Sequence, residues 1–306
     1  MENNKDPVIH KPVLTKEVLE YLDTNQGGVY LDVTFGSGGH TRAILESNPD
    51  CSVIALDWDM TSLDTFGPQL QGEFPGRLKL LWGNFSLIYK LLKKEGVKEL
   101  DGILADFGTS QMQILERPGF SVYKDTPLDM RMSPAHQKVT AGQIVNEASE
   151  EELREIFWRF GQEKYTKQIA RAIVQERRKK KFTSTAQLAK LIGKVVPQQK
   201  QKGKHTKIHP ATRVFQALRI CVNDELHNIT SFLKAAIRML SLEGRLVCIS
   251  FHSLEDRLVK QFFADRVRSG EVELLTSRVV VASQKELEEN PSSRSAKLRA
   301  VKLLRK

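Results

Sequence analysis

Val29-Tyr-Leu-Asp-Val-Thr-Phe-Gly-Ser-Gly-Gly-His-Thr-Arg-Ala-Ile-Leu-Glu46 reads as three consecutive elements. Its first six residues are β-branched, aromatic or aliphatic around one acid, the signature of a strand. Phe35 to Gly39 is a glycine turn, and His40 to Glu46 predicts a helix. Working outward, Ser52-Val-Ile-Ala-Leu-Asp57, Leu78 to Trp82 and Asp101-Gly-Ile-Leu-Ala-Asp106 repeat the buried-strand pattern, with helix-length segments between them. The pattern resumes at Gly244-Arg-Leu-Val-Cys-Ile-Ser250, followed by a helix from about Leu254 to Phe263. Alternating βα units of this spacing imply an α/β, mostly parallel, doubly wound sheet that takes its ligands beyond the carboxyl ends of the strands.

Between these halves helical periodicity takes over. Ser149-Glu-Glu-Glu152 has capping-box form, and Leu153, Ile156, Phe157 and Phe160 then share one face. Ser184-Thr-Ala-Gln187 caps another helix, with Leu188, Leu191, Ile192 and Val195 aligned before Pro197. Val214 to Val222 and Leu226 to Leu240 lead back to the sheet. The expected organisation is therefore a helical domain over 114–213 inserted into an α/β domain of 1–113 and 214–306. Residues 198–204 form a polar, low-complexity link.

Charge follows the same division. The 306 residues carry a net +10, yet Lys164 to Arg213 holds fifteen Lys/Arg against Glu176 alone, so this stretch is at +14 and the other 256 residues sum to −4. A basic insert on a nearly neutral domain points to an anionic partner for the insert. Cys51, Cys221 and Cys248 lie far apart without a C-x-x-C pair, against a disulfide framework or zinc ribbon. Residues 1–11 lack the apolar stretch of a signal peptide, and no apolar run reaches spanning length. The expectation is a cytoplasmic protein with no membrane partner.

Gly36-Ser-Gly-Gly39 after a strand lets backbone approach a ligand, and the next helix offers free N–H groups. A dinucleotide fingerprint wants glycine at position 41, where Thr41 stands, so a pyrophosphate cradle is disfavoured. Asp57 ends the second strand, where a carboxylate accepts hydrogen bonds from both ribose hydroxyls of a nucleoside. That geometry serves dinucleotide enzymes and enzymes using S-adenosylmethionine, and Thr41 favours the latter. Asp106-Phe-Gly-Thr-Ser-Gln-Met-Gln113 leaves the fourth strand where substrate-facing loops begin. His209 and His252 have no trusted metal-ligand spacing with other His, Cys or acidic groups.

With Asp32-Val-Thr-Phe-Gly-Ser-Gly-Gly-His40, Pro127-Leu-Asp-Met-Arg-Met132, His209-Pro-Ala-Thr-Arg213, Ser250-Phe-His-Ser-Leu-Glu-Asp-Arg257 and Asn290-Pro-Ser-Ser-Arg-Ser295, the chain resembles the bacterial ribosomal small-subunit RNA methyltransferase H family nearly end to end. The resemblance implies a class I (Rossmann-like) S-adenosylmethionine methyltransferase sheet with an inserted helical domain, and no metal. It implies transfer of a methyl group to the exocyclic N4 of a cytidine in the decoding region of 16S rRNA. Carried over by motif, Gly38, Gly39, His40, Asp57 and Phe85 contact the cofactor, and Asp106 and Gln113 belong to its loop after strand four. The chain departs from the family there, since Phe107, Thr109 and Gln111 replace Leu, Val and a second Ser; a hydroxyl at position 111 is lost. The stretch from Thr276 to Asn290 is also shorter than usual.

Methyl transfer to an aryl amine needs alignment and an acceptor for the N4 hydrogens. Asp106 or Ser110 is expected to supply it, with Asp129 and His252 as weaker candidates. Arg177-Arg-Lys-Lys-Lys181 with Lys200, Lys202, Lys204 and Lys207 is the expected RNA footprint. The expected partner is 16S rRNA within the small ribosomal subunit, and a homodimer is compatible with the sequence. Two other readings stand beside this one. The first is a non-catalytic ribosome-assembly or RNA-binding protein. The second is an NAD-type oxidoreductase, against which the missing glycine counts.

Overall fold

A computed structural model describes residues 11–108, 117–196 and 209–306. The chain divides into two compact units, Met1–Gly108 with Leu226–Lys306, and Thr109–Glu225.

In the first unit, helix α1 (Thr15–Leu22) precedes β1 (Gly28–Asp32), α2 (Gly39–Ser47), β2 (Cys51–Asp57), α3 (Met60–Glu73), β3 (Leu78–Trp82), α4 (Ile88–Lys94) and β4 (Leu100–Asp106). Among the described residues, β1 to β4 join three later strands in one sheet of order β3-β2-β1-β4-β5-β7-β6. The later strands are β5 (Leu240–Ser250), β6 (Val272–Leu274) and β7 (Lys297–Leu303). The first five strands run parallel, and β7 lies antiparallel between β5 and β6. This is the α/β sheet expected from the alternating pattern.

The strands are continuous apolar runs because both sheet faces are covered. Leu31, Leu56, Ile103 and Cys248 are fully buried, in one core with Phe232, Val259 and Phe263. The order reverses between β2-β1 and β4-β5, and parallel registers bring Asp32, Asp57 and Asp106 to the same carboxyl edge of the sheet. That is the switch point at which such sheets bind ligands.

Strands β6 and β7 were absent from the sequence expectation. Lys297-Leu-Arg-Ala-Val-Lys-Leu303 alternates only in part, and its cations face outward. Arg299 meets Asp256 at 2.7 Å, and Lys302 meets Glu243 and Glu273 at 2.9 and 3.0 Å.

The second unit contains α5 (Ala141–Glu147), α6 (Glu150–Gly161), α7 (Thr166–Arg177), α8 (Thr185–Val195) and α9 (Thr212–Asn223). Both expected capping boxes form, Ser149 with Glu152 and Ser184 with Gln187, and Thr140 with Gln143 makes a third. Leu153, Phe157, Ile169, Ile173, Leu188 and Ile192 close a core of their own.

The helical unit runs on through α9 to Glu225 rather than ending at 213, while the expected boundary at 113 lies outside the described residues. The reason is packing: α9 buries Val214, Phe215, Ala217 and Leu218 in the helical core. Gly161 lets the backbones of α6 and α9 meet, since a Cβ there would lie 2.5 Å from the carbonyl oxygen of Arg213. The return to the sheet is made by α10 (Glu225–Met239), which leads directly into β5.

Candidate active site

Asp57 organises the glycine turn. Its Oδ2 accepts the N–H of Gly36 at 2.8 Å and its Oδ1 accepts the N–H of Asp59 at 2.9 Å. The side chain is buried, and burial pushes its carboxyl up to about 7 against the downward pull of those two backbone donors. Each oxygen keeps lone-pair capacity for a further donor. Gly36 and Gly38 sit at φ 54° and 79°, where a Cβ is strained, and Gly38 is the residue from which α2 starts. A Cβ on Gly39 would stand 3.0 Å from Pro12, so that glycine serves close packing within the chain.

Asp32 is fully buried below this turn. Thr41 donates to its Oδ2 at 2.7 Å, and the N–H and hydroxyl of Thr34 reach its Oδ1 at 3.0 and 3.3 Å. Burial raises the Asp32 carboxyl, and these hydrogen bonds moderate the rise. Thr34 Oγ1 also accepts the N–H of Asp106 at 2.8 Å, so one network ties the ends of β1 and β4 to α2. Thr41, which stands where a dinucleotide fingerprint has glycine, thus has a structural duty. The sequence showed Thr41 only as a missing glycine, and nothing there marks a hydroxyl nine residues from the acid it serves.

His40 and Asp106 come together here. His40 is buried with both ring nitrogens lacking a hydrogen-bond partner, and its Nε2 lies 3.6 Å from Asp106 Oδ2, beyond hydrogen-bond length. Asp106 Oδ1 is also buried without a partner. Buried polar atoms left this way cost about 1–3 kcal/mol each unless a ligand satisfies them. They mark this edge as one built to receive polar groups.

Phe85 opens the short 3-10 turn Phe85–Leu87, fixed by Asn84, whose side chain accepts the N–H of Ser86 at 2.9 Å. Its ring lies 6.2 Å from Trp58, 6.0 Å from Phe107 and 5.7 Å from Phe232. Phe107, one of the departures in the loop after β4, is a fully buried member of this cluster and meets Phe232 edge-on at 5.7 Å. The larger ring at 107 is accommodated by aromatic packing. Ser110 and Gln113 lie outside the described residues.

The remaining candidates also make structural hydrogen bonds, although His252 Nε2, like the His40 nitrogens, is buried without a hydrogen-bond partner. His252 caps α11 (Ser253–Arg268): its Nδ1 accepts the N–H of Glu255 at 3.4 Å, while Glu255 accepts the N–H groups of Phe251 and His252. In the second unit, Asp129 is held by Arg131 through two contacts of 2.8 Å, and this guanidinium lowers its carboxyl. His209 Nδ1 accepts the N–H of Ala211 at 3.1 Å.

The family model of the MraW methylase family matches residues 7–304, nearly the whole chain. This chain belongs to the MraW methylase family. It is similar to the ribosomal RNA small subunit methyltransferase H of Neorickettsia sennetsu, 44% identical over 97% of each chain. A second relative of that name, from Wolbachia sp. subsp. Drosophila simulans, is 45% identical over 96% of this chain and 99% of its own. Among solved structures, an O-methyltransferase from Bacillus cereus in complex with SAH matches with a TM-score of 0.47 and 9% identity, over 97% of this chain and 84% of that one.

S-adenosylmethionine is the cofactor of a methylase of this family, and the residues present fit it. Asp57 has lone pairs for ribose hydroxyls, Phe85 sits in an aromatic wall, and His40 and Asp106 hold unpartnered polar atoms for a charged ligand. No described helix is long and apolar enough to cross a membrane.

Proposed function

We propose that this MraW-family methylase transfers a methyl group from S-adenosylmethionine to the exocyclic N4 of a cytidine in the 16S rRNA of the small ribosomal subunit. The observation that carries this reading is the pairing of Asp106 with His40 at the switch point. Together they bring three unpartnered buried polar atoms to the edge where Asp57 and the glycine turn converge. The shared name of the curated relatives supports the choice of substrate.

In this reading Gly38, Gly39, His40 and Asp57 hold the cofactor, with Phe85 beside its base. When bound, the cofactor supplies a methyl group activated by a sulfonium. The chain's own task is to align the amine and accept its hydrogens. Asp106 does the latter, with Ser110 as the alternative acceptor: a hydrogen bond from N4–H to a carboxylate localises the nitrogen lone pair, which cytosine otherwise draws into its ring. The same oxygen then takes the proton released as the new C–N bond forms. Gln113 completes the cofactor side. The target base must leave its stack at a cost of a few kcal/mol, offset by contacts to the RNA backbone. Lys200, Lys202, Lys204 and Lys207 are assigned to those contacts but lie outside the described residues. Arg177 to Lys181 are described, at the end of α7.

The test is methyl transfer in vitro to small-subunit RNA and to intact small subunits, followed by nucleoside mass spectrometry. N4-methylcytidine is the expected product. Its absence, with the demethylated cofactor still bound in isothermal titration, would overturn the substrate assignment while leaving the cofactor site standing.

A further inference from the structure

We propose that the helical unit carries a stacking surface for single-stranded RNA, built on Trp158 and Tyr123; this rests on the RNA-methylating reading above. Amphipathic α6 closes the unit's core with Leu153 and Phe157. The next residue, Trp158, is 64% exposed, and Tyr123 is 77% exposed. Neither large ring is absorbed by packing, although the core beside them is complete.

The two rings are joined through the start of α9. Tyr123 meets the His209 ring edge-on at 5.6 Å, and His209 is fixed just before the helix by the N–H groups of Ala211 and Thr212, at 3.1 and 2.9 Å. Four residues on, Arg213 donates to the carbonyl of Gln162 at 3.4 Å, and Gln162 donates its N–H to the carbonyl of Trp158 at 3.0 Å. A short framework of backbone and capping bonds thus holds an aromatic at each end and a guanidinium between them. Arg159, beside Trp158, adds a second cation, its guanidinium 5.5 Å from the Phe160 ring centre.

The surroundings select the occupant. An apolar protein partner wants a contiguous apolar patch, whereas these rings are linked through a framework that carries the guanidinium groups of Arg159 and Arg213. Aromatic faces interleaved with Arg suit a strand whose bases stack while its phosphates are paired. A duplex hides its base faces, so the surface discriminates for single strands.

The experiment is fluorescence-anisotropy binding of a labelled single-stranded RNA and of a duplex of equal length. The full chain is compared with Trp158→Ala, Tyr123→Ala and Trp158→Phe. Each alanine should weaken single-strand binding about tenfold and duplex binding little, with most affinity kept by Trp158→Phe. Affinity for the demethylated cofactor, measured by isothermal titration, should not change, and a wild-type helical signal in circular dichroism shows that the helical unit of each variant is folded. Single-strand affinity equal to wild type in both alanine variants overturns the surface alone. Unchanged RNA affinity with methylation lost only on intact subunits assigns the rings to a protein contact and also overturns it. If the unaltered chain binds no RNA, the substrate reading falls with it.

Discussion

The Asp57 carboxylate holds the glycine turn by accepting the backbone N–H of Gly36 at 2.8 Å, across 21 residues of sequence. In the proposed function the same side chain that shapes the loop also takes the cofactor's ribose, and the two duties predict a pH signature. Ribose hydroxyls donate best to the ionised carboxylate, and burial sets its titration at about 7 instead of the ordinary 3.8. Affinity for the demethylated cofactor should weaken about tenfold per pH unit below that value and level off above it. Isothermal titration from pH 5.5 to 8.5 checks this. Asp57→Asn should bind more weakly at pH 8 and lose the slope.

The same group predicts an opposite trend for stability without ligand. A carboxyl whose folded value is raised takes up protons more readily in the folded state. Its contribution is therefore fully present below about 3.8 and is lost as pH rises through about 7. Unfolding midpoints between pH 5 and 8 should fall through this window in the wild type and fall less in Asp57→Asn. A midpoint rising over that range in wild type alone would contradict the assignment.

Thr41→Val tests the network under the turn. The substitution keeps shape and removes the 2.7 Å hydrogen bond to fully buried Asp32. The expected cost is about 1–3 kcal/mol in denaturant unfolding. Burial already raises the Asp32 carboxyl, and losing a donor favours its neutral form further, so the cost should grow as pH rises, read by comparing pH 5 with pH 8. Equal costs at both pH values would show that Asp32 does not change its charge between them.

Legibility in the sequence followed the range of the interactions. Strands β1 to β4 were readable because sheets covered on both faces need unbroken apolar runs, and the two expected helix starts were readable because capping boxes are local. The place of Asp57 at a strand end could be read from the local pattern. Its clamp on Gly36, and the route from Thr41 through Asp32 and Thr34 to Asp106, could not be read because they close only when distant segments meet. Strand β7 escaped because outward Lys and Arg break its apolar pattern while finding acids on neighbouring segments. The sequence motif around His252 did not show that reciprocal bonds with Glu255 start a helix there.

The basic run 177–181 is less uniform than its sequence implies. Arg177 turns back to donate to the Val145 carbonyl at 2.9 Å, and Lys179 meets Glu176 at 3.3 Å. Arg178, Lys180 and Lys181 are exposed. Neutralising Arg178, Lys179, Lys180 and Lys181 to Gln should weaken RNA binding and reduce the slope of log affinity against log salt by roughly 3 if the contacts are to single strands. Arg177→Gln should instead lower the unfolding midpoint with little change in that slope. Binding titrations at three or more salt concentrations separate the two.

Asp106 carries the sharpest prediction, because its proposed roles in cofactor binding and catalysis can be separated. Its backbone N–H is fixed by Thr34 at 2.8 Å, so a change of side chain leaves the end of β4 anchored. Asp106→Asn keeps the shape and one acceptor oxygen but cannot take the proton that the amine releases. Its turnover number should fall by about 10²–10⁴-fold, with a smaller change in affinity for the demethylated cofactor. Asp106→Ala removes both acceptors and should lose affinity as well. If Asp106→Asn turns over at the wild-type rate, proton acceptance passes to Ser110; if Asp106→Ala also binds the product normally, the unpartnered Oδ1 faces neither substrate nor cofactor. Single-turnover methyl transfer beside equilibrium titration of each variant distinguishes these outcomes, because the first reads the chemical step and the second reads binding alone.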